Sequence, residues 1–314
     1  MARKKYKEDA LKSSRMTKGV WPVCIVLIFY ATCLLIPYLI AILSSFKSLA
    51  NYSDHMFGFT ELTLDNYKKV LTGFVYPIIM KDGSAGYYDF LGLTVNSLLY
   101  SVGGAFCLTV TPCVVAYCCQ KFPYKLSKII VALVYVLMIV PLVGNTASTI
   151  QMTHWLGIYD TMVGHWFMKC SFLGLYFLVY YATFEGIPND YMEAVYMDGG
   201  GHFTIFFKIM LPLASKQMFT MFILQFVSLW SDYQGVMYYL PSTPTLSIAL
   251  LNFTSLASTT TPMQLAACML TSLPGILLFA KFSDRFMGSL QMWEDYKKDF
   301  LAFLGWYLYP YKKS

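Results

Sequence analysis

The stretch FLGLTVNSLLYSVGGAFCLTVTPCVVAYCCQ, residues 90–120, contains no Lys, Arg, Asp or Glu. A helix needs roughly 20 mostly apolar residues to cross the hydrocarbon of a bilayer. This stretch is long enough, and it has company. Uncharged runs also cover 19–46, 129–159, 170–184, 217–231 and 233–280. Working outward from 90–120, six spans are expected, at about 21–46, 91–119, 129–152, 169–184, 213–231 and 264–283. The fold class is therefore an all-α integral membrane protein.

Composition agrees. The chain of 314 residues is 57% hydrophobic and 13% charged, against about 25% charged in an average soluble domain. The first apolar run is too long for the h-region of a cleavable signal, so it is expected to remain as an anchor. Residues 1–18 carry seven basic and two acidic side chains. With six spans, 18 of the 23 basic residues fall on the side of the termini. The positive-inside rule then places both termini in the cytoplasm. The net charge of +6 is a topology signal, and nucleic acid is not an expected partner. Membrane lipid is.

Several chemistries find no support. There is no G-x-x-x-x-G-K-[ST] phosphate loop and no H-E-x-x-H, and no pair of carboxylates lies inside a span. An enzyme or an ion-coupled carrier in the membrane usually needs such buried ionisable groups. His55, His154, His165 and His202 are scattered. The eight cysteines (24, 33, 107, 113, 118, 119, 170 and 268) lack metal-ligand spacing and read as small buried apolar residues. No enzymatic activity and no cofactor or metal of its own are expected.

The segment EGIPNDYMEAVYMDGGGHFTIFFKIMLPLASKQ, residues 185–217, reads differently. Asp190 as N-cap and Glu193 three residues on form a capping-box-like pair, which predicts a helix over 191–198. Gly199, Gly200 and Gly201 end it, because Gly accepts the left-handed conformation of a C-cap. A second short helix is expected over 203–211, stopped by Pro212. The result is an apolar, aromatic knob at the water-facing end of two spans, and such a patch marks a partner site. A plain connector in which Glu193 only caps its helix is the bland alternative.

Glu193-Ala194-Val195, Gly199, Ile209 and Leu211-Pro212 resemble the E-A-A, Gly, Ile, Leu-Pro loop motif of ABC importer permeases, with every spacing kept and Val195 the one departure. Weaker marks of the carbohydrate-uptake branch follow in order: Ser45-Phe46-Lys47, Leu64-Asp65-Asn66-Tyr67, Asn96-Ser97, Trp230-Ser231-Asp232-Tyr233 and Thr245-Leu246. The resemblance covers about 21–288. It implies an ABC importer permease bundle over 19–288 with a coupling loop at 185–212, between a basic tail at 1–18 and a further tail at 289–314. Members usually end in a Gly-rich basic tail where this chain runs on.

By the same resemblance, Glu193, Ala194, Asp198, Gly199, His202, Phe203, Phe206, Ile209, Leu211 and Pro212 would contact an ATPase. Implied partners are a second permease, two cytoplasmic ATPase subunits that bind ATP and Mg, and an external solute-binding protein. The location would be the bacterial cytoplasmic (plasma) membrane, and the solute a sugar or oligosaccharide. A polyol or glycerol phosphate, or a scaffold role without transport, are the alternatives.

Polar residues inside spans are candidates for a solute pathway. Gln225, Ser228 and Asp232 are spaced to share a helical face, as are Asn145 and Thr149, with Pro141 and Gly144 as kink points. Hydrogen bonding to a neighbouring helix is the competing reading of such stripes.

Overall fold

A computed structural model describes residues 21–54, 62–79, 83–122, 124–140, 144–278 and 280–281. The tails 1–18 and 289–314, the end of the expected permease domain at 282–288, and Pro141 lie outside the described residues.

The described residues are mostly helical. In order come α1 (Trp21–Ser45), α2 (Leu49–Asp54), α3 (Asp65–Gly73), a hairpin of β1 (Tyr76–Ile79) and β2 (Ala85–Tyr88), and α4 (Phe90–Lys121). Then follow α5 (Lys125–Ile139), α6 (Thr146–Trp155), α7 (Met162–Met168), α8 (Leu175–Glu185) and α9 (Asp190–Met197). Last are α10 (His202–Trp230), α11 (Tyr233–Tyr239), α12 (Leu246–Ser255) and α13 (Thr261–Leu278). The hairpin is antiparallel, with Tyr76 opposite Tyr88 and Ile79 opposite Ala85.

Among the described residues four helices, α1, α4, α10 and α13, are long and apolar enough to cross a membrane. Six were expected. The expected span at 129–152 is divided, because α5 stops at Ile139 and α6 starts at Thr146. Gly144 sits in that gap with φ +81°, a backbone conformation that breaks a right-handed helix. The expected span at 169–184 contains an 11-residue helix, α8. A shorter apolar helix, α12, covers Leu246–Ser255.

The described residues fall into two compact units, 21–71 with 256–270 and 72–255 with 271–281. In the first, α1 ends at a knot of hydrogen bonds. The Asn66 amide donates to the carbonyls of Ser45 (2.9 Å) and Lys47 (2.7 Å). The Ser45 hydroxyl meets the Tyr67 hydroxyl at 2.7 Å, and the Tyr67 ring lies against Phe46. Ser45 is the last residue of α1, where a helix leaves its carbonyls without intrahelical partners. Asn66 supplies one.

In the second unit α4 is the hub, contacted by α5, α7, α8, α10 and α12. Its small residues make this possible. A Cβ on Gly104 would lie 2.7 Å from a methyl of Leu229 of α10, so a larger residue there would have to push that side chain aside. Near its start, Asn96 donates to Pro244 O (3.0 Å) and the Ser97 hydroxyl accepts from Leu246 N (2.7 Å). Further on, the Tyr100 hydroxyl donates to Asp232 Oδ2 at 2.8 Å. The marks at 96–97, 230–233 and 245–246, weak when taken singly, are thus joined in space. Toward the other end of α4, Cys113, Ala116 and Tyr117 pack with Phe177, Tyr180 and Phe184 of α8 and with Ile205, Met210 and Ala214 of α10. This core carries the loop between α8 and α10.

Candidate functional site

The loop leaves α8 through Gly186 and Ile187. Helix α9 begins one residue earlier than expected, with Asn189 as N-cap and Asp190 as the first helical residue. Asp190 is therefore not the cap. No side-chain oxygen caps this helix, and Asn189 contributes its carbonyl, which accepts from Glu193 N at 3.1 Å. The capping box is absent. Glu193, Ala194 and Asp198 are all exposed, so Glu193 is not spent on its own helix.

The end of α9 is a Schellman turn. Gly199 N donates to Tyr196 O (3.0 Å) and Gly200 N to Val195 O (2.8 Å). Gly199 has φ +77°, which favours glycine. Gly200 is constrained otherwise: a Cβ there would lie 2.5 Å from Cγ1 of Val195, the residue at which the motif departs from Ala.

Helix α10 then starts at His202 with Gly201 as N-cap. Pro212 was expected to end a short helix, and it does not. The helix runs unbroken from His202 to Trp230. Proline lacks an N–H, and its ring collides with the carbonyl four residues back in a regular α-helix. Here Phe206–Met210 forms a π-helical turn directly ahead of it, with Leu211 N donating to Phe206 O. The wider turn moves the carbonyls out of α register, and the proline is absorbed. Such turns are frequent at functional sites.

The tip is apolar and unprotected. Met197 is 89% exposed and Phe203 82%, with Phe207 beside them. Beneath, the ends are fixed. His202 Nδ1 is 2.8 Å from the Tyr196 hydroxyl, and its ring meets Phe122 edge-on. Phe206 rests on Tyr117 at 4.8 Å between centroids. Ile209 and Leu211 are half-buried and Pro212 is exposed. Lys121, the last residue of α4, donates to Ile187 O (2.6 Å) and Asn189 Oδ1 (2.9 Å). The arrangement is a stiff base under a greasy tip.

Residues 109–286, more than half of the chain, match the family described as the binding-protein-dependent transport system inner membrane component. The chain belongs to that family. Two relatives from Bacillus subtilis (strain 168) are similar along most of their length. The melibiose/raffinose/stachyose import permease protein MelC is 23% identical, over 87% of this chain and 96% of the relative. The arabinooligosaccharides transport system permease protein AraQ is 28% identical, over 73% and 80%. A solved structure of a bacterial ABC transporter involved in the import of the acidic polysaccharide alginate shares the fold. Its TM-score is 0.68 at 19% identity, covering 86% of this chain and 98% of that one. The protein is thus a membrane transport component that works with other subunits, and not an enzyme.

In this inner membrane component the polar residues of the spans stand in different surroundings. On α10, Gln225 is buried and Ser228 exposed. Asp232 lies beyond the end of α10 and is the N-cap of α11, where Oδ1 accepts from Gly235 N at 2.8 Å. Both of its oxygens are engaged. Asn145 is exposed at the start of α6, and the Thr149 hydroxyl donates back to Asn145 O (2.9 Å). Sequence reasoning passed over Lys121, Phe122 and Tyr196, which hold the loop. The one signal for Lys121 was its place as the first charge after 90–120.

Proposed function

We propose that this chain is the permease subunit of an ABC importer that takes up a sugar or oligosaccharide delivered by an external solute-binding protein. The observation that carries the reading is the loop at 185–212: an exposed Met197 at the end of α9, with Phe203 and Phe207 at the start of α10, over a base held by hydrogen bonds. Apolar side chains on a water-facing loop seek a partner. The named substrates of the two Bacillus relatives favour a saccharide.

In this reading both termini are cytoplasmic, and residues 19–288 form the permease domain. A second permease completes the pathway. Two cytoplasmic ATPases bind ATP and Mg, and one of them receives Met197, Phe203 and the exposed Glu193, Ala194 and Asp198. His202, Phe206, Ile209, Leu211 and Pro212 form the stem rather than the tip. Closure of the ATPases displaces the loop and biases the bundle between two states. Gln225, Ser228, Asn145 and Thr149 remain the candidates for solute contact. Asp232 acts as a tie between α4 and α11.

The test is to tag the chain, extract it in mild detergent and identify what co-purifies. Recovery of an ATPase, a second permease and a sugar-binding protein supports the reading. A binding protein specific for another solute class would replace the saccharide. Recovery of the chain alone, under conditions that keep other membrane complexes intact, would make a scaffold role the better account.

A further inference from the structure

We propose that Cys107 and Cys170 are a dithiol that closes to a reversible disulfide and pins the segment after α7 to α4. The two residues are 63 positions apart in number, and spacing alone assigns them nothing. In the structure both thiols are free, and Cys170 is a neighbour of Cys107.

The packing of α7 on α4 explains the encounter. Trp166 Nε1 donates to Leu99 O at 3.1 Å. Its indole fills the space left by the absent side chain of Gly103, where a Cβ would lie 2.2 Å from the ring. Glycine thus lets the two backbones come close. Cys107 stands one turn after Gly103, and Cys170 one turn after Trp166. Cys170 Sγ donates to Trp166 O (3.5 Å), which holds it over that turn. The two segments continue side by side and bring the thiols together. A disulfide forms where two Cα atoms can come to about 4.4–6.8 Å.

Cys170 is exposed and Cys107 half-buried, which sets the order of the chemistry. An external disulfide is the oxidant. The Cys170 thiolate attacks one of its sulfurs, forms a mixed disulfide and releases one thiolate. Cys107 then loses its proton, attacks Cys170 Sγ and expels the second thiolate. Two protein thiols are oxidised and one external disulfide is reduced to two thiols.

The experiment treats the full-length chain in its membrane with a neutral dipyridyl disulfide, which enters from water or lipid. Peptide mass spectrometry then follows the cysteines. In the wild type the expected product is a peptide pair joined through Cys107 and Cys170, lacking two hydrogens and restored by dithiothreitol. In Cys107→Ser the pyridyl adduct on Cys170 should persist, and in Cys170→Ser no link should form. Stable adducts on both cysteines of the wild type, with no joined peptide, would overturn the proposal. So would an adduct on Cys170 that decays equally fast in Cys107→Ser.

Discussion

Lys121 closes the loop at its root: its ammonium donates to the carbonyl of Ile187 at 2.6 Å, across 66 positions of sequence. The same group reaches Asn189 Oδ1. One side chain at the end of α4 therefore fixes the exit of α8 and the start of α9 together. A hydrogen bond to a charged group contributes about 1.5–3 kcal/mol. Lys121→Met should leave the chain inserted but speed limited proteolysis at 186–201 several-fold. An unchanged cleavage rate would show that the ammonium does not hold the loop.

Gly199 should be the least replaceable residue of the turn. At φ +77° an L-residue costs roughly 1–2 kcal/mol, and a β-branched side chain more. Gly199→Val should abolish solute-stimulated ATP hydrolysis in the reconstituted complex with normal membrane insertion. Glu193→Lys, which reverses an exposed charge at the docking face, should do the same. Normal hydrolysis in both variants would remove the loop from the coupling role.

Gly200 and Val195 should behave as a pair. Gly200→Ala brings a methyl against Val195 Cγ1 and should lower thermal stability by about 1–3 kcal/mol, the usual cost of overpacking. Adding Val195→Ala, which restores the residue common in the motif, should recover most of that loss. Additive losses in the double variant would mean that the two side chains do not compete for space.

Asn66→Ala should destabilise the end of α1. It leaves the carbonyls of Ser45 and Lys47 without the amide that now serves both. The expected cost is about 1–3 kcal/mol for buried acceptors left unsatisfied, read as a lower unfolding temperature. Tyr100→Phe, which removes the hydroxyl from Asp232, should cost about 0.5–1.5 kcal/mol in the same assay.

The membrane class, the long helices and the glycine turn were legible because each rests on local chemistry. Absence of charge over 90–120 is enough for a spanning helix, and a Gly run after a short helix is enough for a turn. Three features were not legible. Pro212 reads as a stop only if the preceding turn is α-helical, and a π turn is set by how Phe206 and Met210 pack against α4 and α8. A kink at Gly144 was legible, but not its positive φ, which divides 129–152 and which no apolar run announces. Lys121, Asn96 and Asp232 depend on partners far along the chain, so no spacing rule could have assigned them.

The π turn in α10 has a consequence for how the chain tolerates change. From His202 to Trp230 there are 29 residues and no glycine, a rod of roughly 40 Å at about 1.5 Å per residue. A single inserted or deleted residue in such a rod re-phases every side chain beyond it by about 100°. The wide turn at Phe206–Met210 already holds the slack of one such insertion. Removing one residue there should take up that slack and keep the tip bearing Phe203 in phase with the bundle. The same deletion ten residues further on would instead scramble the packing of the bundle itself.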